Sequence, residues 1–289
     1  MKLLNILSAL GAAAVLSATT SCTELKDESF GSIVSSQYVP KTEADISYLA
    51  NAAYIPWRQT MLLWQGVVRS QELSADQDVI PARLGIGWVD GYIYKRWHQH
   101  TWTTEDEGVL VGWERTFDGV TACNRVLSQI EDNVIDVQGE TRERLIAELK
   151  VLRASYYYVL VDLYGNVPII TDFKDVDLPE QSTRKEVFDF IVKEVTENID
   201  NLSEEARGYY YARFNKWAAH TLLAKMYLNA ETWVGQKMYD DVWHIVTLLS
   251  HMRKTQEITD LKLMSMHRSS PTMRALKKLS SPFRLTKFM

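Results

Sequence analysis

The sequence is poor in cysteine: Cys22 and Cys123 are the only two in 289 residues. No disulfide framework is available to staple the fold, and no Cys/His spacing for structural zinc occurs. Glycine (13) and proline (7) are scarce as well, and no Gly-rich loop of the P-loop or dinucleotide-binding kind appears. Basic charge is also short, with 32 Lys and Arg against 37 Asp and Glu and a formal net charge of −5. That balance argues against nucleic acid as the main partner, because phosphate binding needs concentrated Lys and Arg. After Ala18 no apolar run is long enough to cross a bilayer. Aromatic side chains are plentiful instead, with nine Trp and fourteen Tyr, groups suited to stacking on flat apolar faces.

The first residues read as an address. Lys2 precedes an apolar, small-residue run of 16 residues, Leu3–Ala18, shorter than the ~20 that a spanning helix needs. A positive start, a short apolar core and the small residues Thr19, Thr20 and Ser21 before Cys22 make residues 1–21 a secretory signal peptide. It is of the lipoprotein type, in which Cys22 becomes the acylated N-terminus, although Thr19 stands where leucine is usual. The polar stretch 22–40 reads as a flexible tether between a lipid anchor on a membrane surface and a folded body. Cys123 is then the one other thiol and reads as a small buried hydrophobe.

From Thr42 onward the apolar spacing is helical and predicts an all-α fold. Faces are expected at Ile46/Leu49/Ala50/Ala53/Trp57, at Trp113/Phe117/Val120/Leu127/Ile130, and at Leu145/Leu149/Leu152/Tyr156/Val159/Leu163. Gly165 and Pro168 stop the third helix, and only Val167–Thr171 looks extended. Ser182 or Thr183 is the expected cap of a fourth helix bearing Phe188, Ile191, Val195, Ile199 and Leu202. Trp217, Thr221, Ala224 and Leu228 line a fifth. Two successive helix pairs, near 112–164 and 182–230, predict stacked hairpins of the tetratricopeptide type within a helical domain at 41–242. Segment 70–108 breaks the rhythm with Pro81, Gly85, Gly87 and Gly91 among Trp88, Tyr92, Tyr94, Trp97 and Trp102. A long aromatic loop insertion of this kind is where a binding surface is expected.

Three stretches carry a resemblance to a known family. They are RERLIAELKVLRASYYYVLVDLYGNVPIIT (Arg142–Thr171), RFNKWAAHTLLAKMYLNA (Arg213–Ala230), and Trp102-Thr103-Thr104 ahead of Trp113-Glu114, Phe117 and Cys123-Asn124. Together they resemble the SusD/RagB family, the surface glycan-binding lipoproteins of Bacteroidetes nutrient uptake. The resemblance implies a tetratricopeptide-like scaffold, no catalytic activity, no cofactor, and a place on the outer membrane facing the cell exterior. It also implies a TonB-dependent, SusC-like transporter as partner and an oligosaccharide or polysaccharide as ligand. Sugar rings stack apolar C–H faces on indole, and their hydroxyls need polar partners. Within 70–108 the expected stacking groups are Trp88, Trp97 and Trp102, and the expected hydroxyl partners are Arg83, Asp90 and His100. The alternative is a helical-repeat scaffold that binds protein or peptide in the cell envelope.

Other chemistry is disfavoured. His98 and His100 have no Cys, Asp or further His at ligand spacing for a metal. Glu105, Asp106 and Glu107 read as first-turn helix charges rather than the two separated carboxylates of a glycosidase.

Residues 243–289 break the composition. They hold nine Lys and Arg against two acids, a balance of +7 that leaves −12 for the rest, and five of the nine Met but no Tyr. Synonymous codons for Arg268–Met289, read one nucleotide out of phase, can spell FFSDNEGSKEIIFAIPFDKIY, which resembles the family's continuation. The expectation is a frameshifted, poorly ordered or opportunistically helical tail on a shortened chain, rather than a basic segment for anionic partners.

Overall fold

The computed structural model describes residues 42–62, 67–83 and 89–251, all within the compact unit Val39–Met289. The expected signal peptide (1–21), the expected tether (22–40) and the part of the expected tail beyond 251 lie outside the described residues. Helix α1 (Glu43–Leu62) starts from a reciprocal cap. The Asp45 N–H donates to Thr42 Oγ1 at 3.2 Å, and the Thr42 N–H donates to Asp45 Oδ2 at 2.9 Å. Helices α2 (Val67–Ser74) and α3 (Ile93–His98) follow, then the two long helices α4 (Glu107–Glu131) and α5 (Gly139–Leu163). Strand β1 (Val167–Pro168) pairs antiparallel with β2 (Gln181–Ser182), so the extended run is shorter than the sequence predicts. Thr183 caps α6 (Arg184–Asn198) in a full capping box with Glu186. Asn215 caps α7 (Lys216–Val234), which Gly235 ends at φ 72°. Helix α8 occupies 239–251.

Contacts across the long helices run in opposite numerical order, which makes them antiparallel. Trp113 meets Tyr164 with ring centroids 5.2 Å apart, Gly119 faces Tyr156, and Arg142 Nη1 donates to the Ile130 carbonyl at 2.9 Å. Between α5 and α6, Arg153 pairs with Glu194 and Tyr157 meets Phe190 at 5.0 Å. Helix α1 packs on α4, α4 on α5, α5 on α6 and α6 on α7. The all-α stack of helical hairpins expected from the sequence is therefore present.

Helix α5 is the centre of this stack. Leu145, Leu149, Leu152, Tyr156, Tyr157 and Leu160 are all buried, and so are Glu148, Arg153 and Ser155 between them. The single apolar face expected for this helix extends right round it. Helix α4 accommodates the α5 tyrosines with glycine: a Cβ on Gly119 would lie 2.3 Å from the Tyr156 ring, and one on Gly112 would lie 2.7 Å from the Tyr164 hydroxyl oxygen. The Tyr156 ring cannot retreat easily, because its hydroxyl donates to the Ala53 carbonyl of α1 at 2.8 Å.

Two expectations need correction. On α7 the buried side is Ala219, Leu222, Leu223, Met226 and Ala230, whereas Thr221 is exposed and Leu228 is 56% exposed. The period is right, but the stripe is rotated, because the neighbouring helices cover the side that carries Leu222, Leu223 and Met226. Segment 70–108 is also not simply a loop. It contains the end of α2, a 3₁₀ turn at Asp90–Tyr92 and all of α3, which gather a second small core of Leu73, Ile93, Tyr94 and Trp97.

Gly119→Ala should destabilise the protein by about 1–3 kcal/mol through overpacking, despite alanine's better helix propensity. Denaturant unfolding of the two proteins measures this; equal midpoints would show that the α4–α5 approach is slack.

Candidate functional site

The short stretch from Asp90 to Glu107 gathers both aromatic and charged groups on the small second core. Its entry is a tight turn in which Asp90 (φ 35°), Gly91 (φ 60°) and Tyr92 (φ 63°) all adopt left-handed backbone. For Tyr92 this is strained, and such turns persist only where neighbours over-determine them. Here the Tyr94 hydroxyl donates to Asp90 Oδ2 at 2.6 Å, Arg96 Nη1 donates to the Gly91 carbonyl at 2.5 Å, and the Tyr92 N–H donates to the Val89 carbonyl at 2.6 Å.

The exit is held by a paired charge. Arg96 donates through Nε to Asp106 Oδ1 at 2.9 Å and through Nη2 to the same oxygen. The Thr103 N–H donates to Asp106 Oδ2 at 2.7 Å. The Arg96 guanidinium holds the buried Asp106 carboxyl below the usual carboxylate range, and Asp106 in turn raises Arg96.

Between entry and exit lies a cleft of about 480 Å³ lined by Arg69, Asp90, Tyr94, Arg96, Asp106 and Glu107, with Ile93 and Glu105 beside them. Arg69 of α2 lies over the Tyr94 ring, 5.4 Å from its centroid. Burial lowers the Arg69 pKa from its ordinary value, while Tyr94, Glu107 and Asp90 pull it back up. Burial, with the bond to Asp90, pushes the Tyr94 hydroxyl up to about 12, so it remains a neutral donor. The cleft therefore offers carboxylate acceptors and a phenol, with guanidinium groups engaged in its walls. Hydroxyl-bearing ligands suit such a mixture.

The residues expected from the sequence separate clearly. Trp102 is 39% exposed and stacks on Trp97, with centroids 4.7 Å apart and planes 22° from parallel. Trp97 is only 7% exposed, with Gly108 pressed against its ring. Its part is to back Trp102 rather than to meet a ligand, since the small core needs its bulk. His100 meets Trp102 edge-on at 5.4 Å, and its Nε2 lies 2.7 Å from the Ser74 carbonyl oxygen, which makes it a strut. Asp90 lines the cleft. Arg83 is exposed and outside the cleft lining, and Trp88 and Cys22 lie outside the described residues.

The sequence reading missed Arg69 and Arg96, and it placed Tyr94 in the aromatic segment without giving it a contact. The four-residue spacing of Asp90 and Tyr94 was a visible signal, whereas Arg69 reaches the cleft from another helix. The two histidines diverge, His98 toward Asp76 at 3.7 Å and His100 toward Ser74. Among the described residues no group of three or more His, Cys, Asp or Glu is placed to hold a metal ion, and no helix is long and apolar enough to cross a membrane. Cys123 is fully buried beside the Arg153–Glu194 pair, and burial pushes its thiol far up.

Residues 85–228, which include this whole stretch, match the SusD-like protein family described as "Starch-binding associating with outer membrane". A SusD-like protein of Bacteroides ovatus is 33% identical over 135 residues, 45% of this chain and 24% of that protein. The starch-binding protein SusD of Bacteroides thetaiotaomicron is 32% identical over 143 residues, 50% of this chain and 24% of that protein. Among solved structures, a laminarin-binding SusD-like protein superposes with a TM-score of 0.59 at 23% identity, covering 71% of this chain and 42% of that one. The match thus spans about a quarter of the length of the curated relatives.

The Arg96–Asp106 pair sets a pH dependence. Asp106 titrates lower in the folded protein than its ordinary value of 3.8, so its stabilisation is complete above that value and is lost as pH falls through the lowered one. Protection of the 90–107 amides, taken against their intrinsic exchange rate at each pH, should fall in acid in the wild type. In Asp106→Asn those amides should already be less protected at pH 7, with less further change in acid. Identical profiles would remove the pair from its anchoring role.

Proposed function

The helical body of this chain belongs to the SusD/RagB family, and from that premise we propose that it is a glycan-binding, non-catalytic lipoprotein of the outer membrane. In this reading Cys22 carries the lipid, and residues 22–40 tether the helical body to the membrane surface. The protein captures an oligosaccharide and passes it to a TonB-dependent, SusC-like transporter. The observation that carries the reading is a half-exposed indole, Trp102, stacked on a buried one, on the same short stretch as a polar cleft. A sugar needs both, an apolar face for its C–H surface and polar groups for its hydroxyls. Asp106 is committed to Arg96 and Thr103 and is held ionised, so it has no proton to give as a general acid.

The same reading treats the chain as a shortened family member whose frame changes in the basic tail. Its support, besides the composition break, is helix α8. That helix buries Ile245 on one side and shows Tyr239, Trp243 (74% exposed) and Val246 on the other. Repeat stacks end in polar caps, and a helix apolar on two sides wants a further layer.

Three measurements test these statements. Affinity electrophoresis through a neutral glucan gel should retard the wild type, and Trp102→Ala should bind about tenfold more weakly. A glycan-independent pull-down of the transporter, with no glycan retarding the protein, would favour the peptide-binding scaffold instead. Sequencing the coding DNA from Tyr239 onward should reveal a family-like frame one base out of phase. An unbroken basic tail with no such frame downstream would overturn the shortened-chain reading.

A further inference from the structure

We infer that the 90–107 cleft selects neutral glycans and turns away anionic ones, the uronates and sulfated sugars; this rests on the glycan-binding reading above. Arginine in a sugar site ordinarily invites anions, because its planar fork grips carboxylate or sulfate through two parallel N–H bonds. The Arg96 fork is already engaged, and the Nε and Nη2 atoms of Arg69 are buried from solvent. Arg96 directs Nε and Nη2 to Asp106 and Nη1 to the Gly91 carbonyl. Arg69 lies over the Tyr94 ring in the field of Asp90 and Glu107.

The acidic groups outnumber them. Asp90, Glu105, Asp106 and Glu107 line the cleft with Arg69 and Arg96, four carboxylates to two guanidinium groups. Asp106 is buried, whereas Asp90, Glu105 and Glu107 are exposed. An incoming anion therefore meets like charge first, and behind it lie only the committed Arg96 and the buried edge of Arg69. A neutral hydroxyl finds acceptors in those same carboxylates, and the Tyr94 hydroxyl adds a neutral phenol. Like-charge repulsion at such a rim acts over roughly 10 Å at 0.1 M salt and fades as salt rises.

The test compares one polysaccharide backbone in two charge states, for example dextran with dextran sulfate and starch with carboxymethyl starch, at low salt on the full chain. The neutral form should retard the protein, and the charged form should bind at least about tenfold more weakly. Added salt should narrow that gap, and so should Glu105→Gln/Glu107→Gln. Glu140→Gln/Glu143→Gln, which makes the same charge change outside the cleft, should leave it unchanged.

Equal or tighter binding of the charged form at low salt overturns the inference while leaving the glycan reading intact. A gap indifferent to salt and to the Glu105/Glu107 substitutions also overturns it, since steric exclusion of the substituent would then be the cause. Failure of every neutral and charged polysaccharide to retard the protein removes the glycan reading, and the selectivity with it.

Discussion

Two charged side chains inside helix α5 govern how the rest of the chain is arranged. Glu148 and Arg153 are 2% and 5% exposed, and an unpaired charge at such depth would cost several kcal/mol, on the order of 3–5 when one partner is lost. Each is satisfied by segments distant in sequence. Glu148 accepts two bonds from Arg213, at 2.7 and 2.5 Å, and one from the Tyr54 hydroxyl at 2.7 Å; the Phe214 N–H donates to that same hydroxyl at 2.7 Å. Arg153 pairs with Glu194 and donates to Asn124 Oδ1 at 2.6 Å, while Asn124 donates to the Ile170 carbonyl at 2.9 Å. One cluster fastens α1 and the approach to α7 onto α5. The other fastens α4, α6 and the post-helix segment. Buried pairs of this kind add little net stability over an apolar core, but they penalise any other register of the helices.

The candidate site sits at one remove from that scaffold. Its small core touches the large stack through α4, where the Tyr164 hydroxyl donates to the Val109 carbonyl at 2.7 Å and Gly108 admits the Trp97 ring. From there the stretch back to Asp90 is held by a turn, an ion pair and one indole stack. Few buried apolar groups and many partly exposed polar bonds describe an element that opens more cheaply than the helices beneath it. A binding surface built this way has defined aromatic geometry while its rim can adjust to a ligand.

Some of this was legible in the residues. Thr183 capping, the Gly165 stop and the antiparallel long pair follow from local rules, and the structure has them. The aromatic stretch was also recognisable as the place where the helical rhythm changes. What could not be read was which of its tryptophans faces out. Trp97 and Trp102 are equally apolar, and only the position of Gly108 on α4 decides that the first is covered and the second half-exposed. The rotated stripe of α7 has the same origin, since periodicity fixes the repeat of a face but not which side a neighbour will claim.

The residues by themselves determined the helices α1 and α4–α7, several of their ends and the family likeness, because caps, breakers and a 3.6-residue period act within a few positions of one another, whereas the short α2 and α3 and the later α8 were not legible. Tertiary structure alone decided the charge pairing and the cleft. Arg69 reaches Tyr94 from another helix, Arg96 meets Asp106 ten residues on, and Glu148 finds Arg213 across 65 positions. Such partners are chosen by which helices lie side by side, and that is settled by packing of the whole stack around α5 rather than by any local pattern.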